Sequence, residues 1–488
     1  MARTSRHQHI DLQEIARQVM KARGFKPTMP AAVRKQVAAV TTRSPHISPN
    51  VSIRDLRDLP WSSIDNDTSR DLDQIEVAER LLNGDVKVRI AIADLDVFVG
   101  KKTPIDAYAG FETTTVYAGV INFPMLPEEL CYDASSLIEN ADRFAIVTEF
   151  VVKPDGTIRS GDIYRALVRN RAQLTYVAVG RWLEGKGSIP PKAATPAIKA
   201  QLQLQDETAQ KLKQRRYEQG ALYLESIEIS PVFEQKKIVD IVNQEKSRAT
   251  DLIEDFMIAA NGIVAQKLER ASSIRRVVKT PQRWDRIVRL AAASGGRLPA
   301  NPSSKALNEF LLERKASDPE HFADLSLAVI KLIGRGEYVL EKKGGKHEGH
   351  FGLAVQDYAH STAPNRRFAD MVTQRLIKAM LAGDPAPYTD EELAAIAQDC
   401  TLKEDQANRV ERDMSKRIAA VAMDRRIGEV FDAVVTGVKP QGTFVRILHP
   451  HVEGMLVRGP DSLDIGDRLR VKLVHTDAAR GYIDFAAV

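Results

Sequence analysis

Residues 64–76 read IDNDTSRDLDQIE, and the strand-like run VKVRIAIAD follows at 86–94. Four aspartates fall within nine residues of this stretch, namely Asp65, Asp67, Asp71 and Asp73. Carboxylates at this density repel one another, so they require a compensating charge. A divalent cation would supply it, since Mg²⁺ prefers oxygen ligands and keeps several of its waters. The alternative interpretation is a solvated acidic turn that binds nothing.

Strand geometry adds an expectation about which of these side chains meet. Side chains two residues apart on an extended strand point to the same side, which predicts that Asp71 and Asp73 face together and that Asp65 returns to them through the loop. By the same rule Gln74 and Glu76 share the opposite face. The segment therefore predicts an oxygen-ligated metal site beside the start of a sheet.

The surrounding sequence predicts an α+β multidomain chain. Alternating β-branched runs such as FAIVTEFVV occupy about 60–170, and long helical patterns such as TDLIEDFMIAANGIVAQKLER dominate 196–425. We interpret 59–426 as one large mixed α/β catalytic domain. Its size implies a substrate channel or several subdomains.

Residues 1–58 are predicted to form a small basic helical module. Apolar residues recur at helical spacing from His9 to Phe25, with Asp11 as N-cap, and a second helix follows in PAAVRKQVAAV after Pro30. Residues 1–60 contain eleven Lys and Arg against four Asp and Glu. This excess favours contact with a polyanion, or else only a solubilising surface, and a helix-turn-helix or winged helix is one interpretation. TTRSPHISPNVS, at 41–52, is predicted to be a linker.

Residues 427–488 return to short strands separated by turns, including EVFDAVVTGV, GTFVRIL, DRLRVKLV and GYIDFAAV. About five such strands are typical of a small OB-fold barrel. Seven basic and eight acidic residues leave this segment without a basic excess.

Bulk properties limit the class of protein. The chain has 488 residues, a net charge of +5 and two cysteines, which excludes a disulfide framework and a cysteine-based zinc site. No stretch approaches the roughly 18 apolar residues of a membrane span, and the N-terminus lacks the apolar run of a secretory signal. We expect a cytoplasmic monomer that does not bind membranes.

The aspartate-rich segment resembles the first signature of the ribonuclease II and ribonuclease R (RNB) family, with Asp65, Asp71 and Asp73 on its first three carboxylates. Further stretches resemble the family in the same order along the chain. They are VYAGVINFPMLPEEL at 116–130, IEDFMIAAN at 253–261, HFGLAVQDYAHSTAPNRRFADMVTQR at 350–375 and VERDM at 410–414. Several long motifs in the right order are a far more specific signal than one motif alone.

The resemblance implies a metal-dependent 3′-to-5′ exoribonuclease that hydrolyses single-stranded RNA to nucleoside 5′-monophosphates. It implies two Mg²⁺ ions, with Mn²⁺ as an alternative. The implied metal ligands are Asp65, Asp71, Asp73 and Gln74, and the implied catalytic residues are Asp71, Asp73 and Arg366. The implied RNA-binding residues are Tyr117, Glu254, Tyr358, Arg367, Glu411 and Phe444, the last in a C-terminal domain that resembles an S1-type OB fold.

The residues around Arg366 suit this role on physical grounds. Pro364 is expected in the first turn of a helix, where free N–H groups and the helix dipole favour a phosphate beside Arg366 and Arg367. Asp370, four residues after Arg366, is expected to orient that guanidinium. The alternative is an ordinary surface ion pair. Glu254 and Asn261 are seven residues apart, so they are expected to share one helix face, and Glu254 could face a cavity or solvent.

This sequence departs from the family pattern in three places. Gln74 replaces the fourth carboxylate, which removes one negative charge from the metal ligands, and Glu76 could compensate. Two cold-shock-type OB domains usually precede the catalytic body in relatives, whereas a short helical segment precedes it here. Gln441 and Val457 replace an aromatic residue and a histidine common in S1 domains. Gln74 is the only support in the sequence for a different function, that of a catalytically impaired RNA-binding regulator.

Overall fold

The structure is a computed structural model that describes residues 10–40, 52–225, 228–235, 237–244, 246–319, 321–345, 349–460 and 462–488. The linker predicted at 41–52 falls, apart from Ser52, outside these residues. The described α-helices are α1 (Leu12–Ala22), α2 (Ala31–Val40), α3 (Pro104–Glu112), α4 (Tyr176–Leu183), α5 (Pro196–Glu218), α6 (Arg248–Lys267), α7 (Trp284–Ala293), α8 (Ser304–Ser317), α9 (Phe322–Ile333), α10 (Phe368–Ala382) and α11 (Asp390–Met423).

The described strands fall into a large sheet, a barrel and three two-stranded sheets. The strands before residue 200 are β1 (Ile53–Asp55), β2 (Ser62–Asp65), β3 (Gln74–Arg80), β4 (Val86–Ala93), β5 (Val116–Tyr117), β6 (Asn122–Phe123), β7 (Asp142–Val152), β8 (Ile158–Arg169) and β9 (Ala172–Thr175). The later strands are β10 (Glu228–Glu234), β11 (Lys237–Gln244), β12 (Ser273–Val277), β13 (Glu337–Glu341), β14 (Val430–Lys439), β15 (Gly442–Ile447), β16 (Val452–Arg458), β17 (Arg468–Asp477) and β18 (Tyr482–Ala487).

A seven-stranded mixed sheet in the order β1-β8-β7-β4-β3-β2-β9 forms the centre of the body. The pairs β1–β8 and β2–β9 are parallel, and the other neighbours are antiparallel. One face packs against α5 and α6 through residues such as Ile90 and Phe256, and the other face buries Trp61 and Ile75. Because both faces are covered, the second half of the central strand β4, IAIA at 90–93, is continuously apolar and buried.

The aspartate-rich segment connects β2 to β3 toward the β9 edge of this sheet. Asp65 ends β2, and Gln74 begins β3, so Asp71 and Asp73 lie in the loop immediately before the strand. The loop is tied to the sheet because the backbone N–H of Ala93 donates to the carbonyl of Asp73 at 2.9 Å. The predicted position of the cluster, beside the start of a sheet strand, agrees with this arrangement.

The C-terminal strands close into a five-stranded barrel in the order β14-β15-β16-β18-β17, which confirms the OB-like prediction. The predicted fold class is confirmed as a whole: an N-terminal helical segment, a large mixed α/β body and a C-terminal barrel. Arg446 of the barrel forms an ion pair with Asp324 of α9, and α11 packs beneath the barrel through Met414 and Ile418.

The N-terminal helices are docked onto the body. Asp11 caps α1 as predicted, accepting hydrogen bonds from the N–H groups of Gln13 and Glu14. The apolar face of α1 packs into a cluster shared with α11 and the barrel, whereas that of α2 packs into a cluster with α3 and α10. Since the two helices bury their faces in different clusters, the structure does not support a separate helix-turn-helix. The strand β1, within the predicted 1–58 module, pairs with β8 of the catalytic sheet.

Within the described residues, no helix is both long and apolar enough to cross a membrane. The cysteines Cys131 and Cys400 are both buried and unpaired. This agrees with the absence of a disulfide framework expected from the sequence.

The contact between the N-terminal segment and α3 centres on Glu112. Its carboxylate accepts a hydrogen bond from the N–H of Lys26 at 2.9 Å, and the hydroxyl of Tyr108 donates to the carbonyl of Lys26 at 3.0 Å. Burial raises the pKa of Glu112 to about 7, although the charges of Lys403 and Lys26 oppose the shift. Glu112 is therefore partly protonated at neutral pH.

We predict that Glu112 makes the protein less stable as pH rises. Its folded pKa of about 7 exceeds the ordinary value of 4.5, so its contribution to stability is fully present below pH 4.5 and is lost as pH rises through 7. Linkage bounds that loss at about 3 kcal/mol. In urea unfolding, the free energy of unfolding should fall less between pH 5 and pH 8 for Glu112→Gln than for the parent protein.

Glu309→Gln on the exposed surface of α8 is the matched control, and it should reproduce the parent's pH dependence. An equal loss of stability in Glu112→Gln and the parent would contradict the prediction.

Candidate active site

A tight turn from Ala363 to Arg367 presents the two arginines of the second motif. The N–H groups of Arg366 and Arg367 donate to the carbonyl of Ala363 at 3.2 and 3.0 Å. The N–H of Thr115 donates to the carbonyl of Arg366 at 3.0 Å, which joins the turn to the segment leading into β5. The position of Arg366 is thus fixed by main-chain hydrogen bonds on both sides.

The helix after this turn starts later than predicted. It begins at Phe368, with Arg367 as an extended N-cap residue, so the expectation of Pro364 in the first helical turn is wrong. Proline disfavours helical conformation in the residue before it, and this favours a separate turn at Ala363.

The expected role of Asp370 also needs correction. Its carboxylate accepts hydrogen bonds from Arg367, at 2.8 Å from Nε and 2.7 Å from Nη2, rather than from Arg366. It also accepts from the N–H of Ala363 at 2.8 Å. Asp370 and Arg367 therefore form a buried pair that holds the turn together and leaves the Arg366 side chain available. The charge of Asp370 helps raise the pKa of Arg367, despite the opposing effect of burial.

Arg366 lies beside Asp73. The distance from Arg366 Nε to Asp73 Oδ2 is 3.6 Å, and the other carboxylate oxygen accepts from the N–H of Asn365 at 2.9 Å. Asp73 is buried, and its pKa is raised well above the ordinary value by burial and by the charge of Asp71, against the opposing charge of Arg366. Arg366 remains 45% exposed, so its guanidinium can reach a ligand as well as Asp73.

The aspartates of the cluster influence one another's protonation. Burial raises the pKa of Asp71, and the charge of Asp65 raises it further, while Arg366 and the Tyr117 hydroxyl lower it. Asp65 accepts hydrogen bonds at 2.7 Å from the N–H of Asn66 and from the hydroxyl of Ser69. The structure therefore brings together Asp65, Asp71, Asp73 and Arg366, from four separate points in two motifs.

Gln74 and Glu76 lie behind this cluster on one strand. Gln74 pairs with Ile92 and Glu76 with Ile90 in the sheet register, so both occupy the same strand face, as expected. Glu76 is completely buried, and neither of its carboxylate oxygens has a hydrogen-bond partner. Burial raises its pKa well above the ordinary value, and the charge of Asp65 adds to the effect.

Tyr117 joins the cluster from the other side. Its hydroxyl donates to Asp71 Oδ2 at 3.1 Å, and its N–H donates to Glu411 Oε1 at 3.1 Å. Asp71 and Glu411, about 50 and 300 positions from Tyr117 in the chain, thus both contact this tyrosine. Tyr117 is nevertheless 39% exposed. Tyr117 and Glu411 can both contact a ligand that approaches Asp71.

The oxygens of the cluster suit a divalent cation in type and charge. The half-buried carboxyl of Asp71 and the buried carboxyl of Asp73 stand together, and burial, with a further contribution from neighbouring negative charge, raises the pKa of each while Arg366 opposes the shift. Among the described residues, however, no three His, Cys, Asp or Glu side chains converge as a ready-made metal site. The candidate oxygen ligands therefore lie near one another, but they are not arranged around a single point.

Three other residues named from the sequence lie away from the aspartates. Glu254 forms an exposed ion pair with Lys246 at 2.9 Å. Tyr358 is buried, and its hydroxyl accepts from the side-chain amide of Asn261 at 3.1 Å. Phe444 lies on β15 of the barrel, with the Lys439 ammonium 5.0 Å from its ring centroid. The contacts of these residues do not include Asp65, Asp71 or Asp73.

A cavity of about 1890 Å³ leads to the cluster. Asp71, Tyr117 and Glu411 lie in its wall. Basic side chains from several elements also line it: Arg70, Lys279, Arg283, Lys331, Arg335, Arg409 and Arg412. Carboxylates line the cavity as well, and two of them, Glu337 and Asp405, form ion pairs with Lys279 and Arg335. The other basic side chains can contact a polyanion whose backbone reaches Asp71.

Sequence reasoning missed several residues of this cavity. Tyr176 lines it, and burial, followed by the charges of Asp65 and Glu76, raises the pKa of its hydroxyl. Arg409 and Arg412 line it from α11. The stretch NRVERDM contains these two arginines at helical spacing, three apart and beside Glu411, which was the only available signal.

Curated proteins similar to this chain include two bacterial enzymes named ribonuclease R. That of Escherichia coli K12 is 29% identical over 443 residues, which cover 88% of this chain and 54% of that protein. That of Thermotoga maritima is 30% identical over 474 residues, covering 90% of this chain and 65% of that protein. This chain thus spans between half and two thirds of the length of these relatives.

Solved structures resemble the fold. Ribonuclease R of Mycoplasma genitalium in complex with ribose-methylated single-stranded RNA superposes with a TM-score of 0.87 at 21% identity, covering 98% of this chain and 78% of that one. Yeast Ssd1, described as a pseudonuclease, superposes with a TM-score of 0.73 at 16% identity, covering 95% of this chain and 58% of that one. At these identities the likeness concerns the fold alone.

Family comparison covers both main parts of the chain. Residues 429–488 match the RNase II-type exonuclease C-terminal S1 domain. Residues 53–383 match the RNB domain and include the aspartate cluster and the turn that carries Arg366. This chain therefore belongs to the RNB family.

Proposed function

We propose that this chain is a metal-dependent 3′-to-5′ exoribonuclease that hydrolyses single-stranded RNA and releases nucleoside 5′-monophosphates. The observation that carries the proposal is the meeting of Asp71, Asp73 and Arg366 beside a cavity whose wall includes Asp71 and several basic side chains. Membership in the RNB family and the likeness to ribonuclease R support it.

The aspartates hold the metal in this proposal. Asp65, Asp71 and Asp73 supply carboxylate oxygens, and Gln74 would supply an amide oxygen. A divalent cation, most simply Mg²⁺ in a pair, would activate water and stabilise the leaving 3′-oxygen. Burial, and to a lesser extent the charge of a neighbouring aspartate, raises the pKa values of Asp71 and Asp73. A bound cation would favour the charged carboxylates, so metal and protein would stabilise each other.

The protein's own side chains position the substrate. Arg366, half-exposed and oriented by Asp73, would stabilise negative charge that develops on the scissile phosphate. Tyr117 lies with its ring in the cavity and its hydroxyl on Asp71, where it would contact the terminal nucleotide. Glu411 fixes the backbone of Tyr117 and would face the same nucleotide.

The cavity supports exonuclease action on single strands. The cavity is lined by α11 and by the 279–283 and 330–335 segments, so RNA that reaches Asp71 would run past them. A duplex is much wider than a single strand, so a free unpaired end is the form that fits such a path. The 3′-to-5′ direction and the single-nucleotide product rest on family resemblance.

The alternative function is RNA binding without cleavage. Incubation of the protein with end-labelled single-stranded RNA, in Mg²⁺, in Mn²⁺ or in EDTA, separates the two functions. Mononucleotide release that needs a metal supports the enzyme, whereas binding without release in either metal supports the regulator. The same assay on a DNA oligomer tests the preference for RNA.

We predict that Asp73→Asn binds single-stranded RNA with near-parental affinity but releases no mononucleotide. Without metal, this variant should melt at a higher temperature than the parent, because burying an amide is less costly than burying a repelled carboxylate. Mg²⁺ should raise the melting temperature of the parent and leave that of Asp73→Asn nearly unchanged. Equal stabilisation of both proteins by Mg²⁺ would show that Asp73 does not hold the metal.

Arg366→Ala should lower kcat by about 100- to 1000-fold while changing RNA affinity much less, since the lost interaction strengthens as charge develops on the phosphate. Single-turnover rates and equilibrium binding measured on one oligomer separate the two effects. Arg289→Ala, which removes an exposed arginine of α7, is the control and should behave as the parent does. A loss of affinity as large as the loss of rate would assign Arg366 to binding alone.

A further inference from the structure

A hairpin formed by β10 and β11 borders the cavity at a point distant in sequence from the catalytic motifs. Ile229, Ile238 and Ile241 of this hairpin pack against the apolar cluster that contains Val410 and Met414 of α11. The hairpin is therefore anchored to α11 by its apolar side chains. Its outer end is held at a fixed place in the cavity wall.

Phe233 is placed near the end of this hairpin. It is 46% exposed, yet it lines the cavity together with Ile229, Ser230 and Pro231 of the same strand. The register between the strands shifts between Val232 and Phe233, which is a β-bulge or a similar irregularity. Such irregularities re-aim the side chain that follows them and are frequent beside functional sites.

An exposed phenylalanine is common on protein surfaces and needs no explanation when it stands alone. Phe233 differs because it lies in the same cavity as Asp71 and as the α11 arginines Arg409 and Arg412. An aromatic face flanked by cations is the arrangement by which proteins bind single-stranded nucleic acid, with a base on the ring and phosphates on the cations. The hairpin that carries Phe233 packs on the helix that carries these arginines.

We propose that Phe233 is a stacking platform for a base of the bound RNA strand, upstream of the nucleotide held at Tyr117. The inference rests on the proposed function, because it requires single-stranded RNA in the cavity. Stacking on an aromatic ring tolerates any base, so this subsite adds affinity and grip without sequence preference. Arg409 and Arg412 contact the neighbouring phosphates.

Binding measurements on a cleavage-deficient background test the proposal. Phe233→Ala is introduced into Asp73→Asn, and both proteins bind a ladder of single-stranded RNA oligomers that differ by one nucleotide. We expect oligomers too short to reach Phe233 to bind both proteins equally. Longer oligomers should bind the alanine variant about 5- to 100-fold more weakly. The length at which the difference appears locates the subsite.

An abasic nucleotide gives the chemical test of stacking. Placed at successive positions of a long oligomer, it should weaken binding to the Asp73→Asn protein at one or two positions. At those positions it should cause little further loss in the protein that also carries Phe233→Ala, because the ring and the base act as one pair. Phe233→Trp should restore binding, and Phe233→Leu should not.

Val242→Ala is the matched control. Val242 lies on β11 opposite Ser230, is 48% exposed and is not among the described residues that line the cavity. Val242→Ala in the Asp73→Asn background should bind every oligomer as the Asp73→Asn protein does. That result would show that the effect of Phe233→Ala does not come from a general weakening of the hairpin. Equal binding of Phe233→Ala and its background at all lengths would overturn the stacking site and leave the proposed function intact. Failure of the Asp73→Asn protein to bind any RNA would overturn both.

Discussion

The burial of negative charge at Asp73 is the constraint on which the rest of the site depends. Burying a charged carboxylate this deeply costs roughly several kcal/mol of folding free energy, as for other buried ions, unless nearby charges and hydrogen bonds offset that cost. The N–H of Asn365 and the nearby guanidinium of Arg366 stabilise the Asp73 carboxylate, whereas the charge of Asp71 destabilises it. The balance of charge at Asp73 is incomplete, and the metal ion of the proposed function would complete it.

The surrounding structure maintains that incomplete balance. Asp370 is satisfied by Arg367 and by the backbone of Ala363, so it does not compete for Arg366. The backbone of Thr115 holds the carbonyl of Arg366 and, farther along the same segment, Tyr117 reaches Asp71. Backbone hydrogen bonds and the Arg367–Asp370 ion pair thus fix the positions of Asp71, Asp73 and Arg366, whose own charges are not balanced.

Much of the fold and the centre of the site could be predicted from the sequence, because they depend on local patterns. Strand alternation placed the aspartates beside the sheet, turn spacing indicated the barrel, and Asp11 marked the start of α1. The partner of Asp370 could not be predicted, since Arg366 and Arg367 both lie within reach in sequence and tertiary packing decides between them. The surroundings of Phe233 and the docking of α1 and α2 also depend on neighbours far away in the chain, about which local periodicity carries no information. Glu254 was left open between cavity and solvent, and it pairs with Lys246 only eight residues away.

The helix α11 connects the parts of the molecule over 34 residues, or about 51 Å. Its first half packs into the cluster around α3 and α10, through Leu393 and Cys400, and its second half packs into the cluster of the barrel. A continuous helix is nearly incompressible along its axis, so these two clusters keep a constant separation. Glu411 in that second half also accepts the hydrogen bond from Tyr117, so the barrel and the aspartate cluster are tied to the same half of the helix. A shift of the barrel along α11 would therefore reach Tyr117, whereas α2, which packs at the other end of the helix, would be left in place.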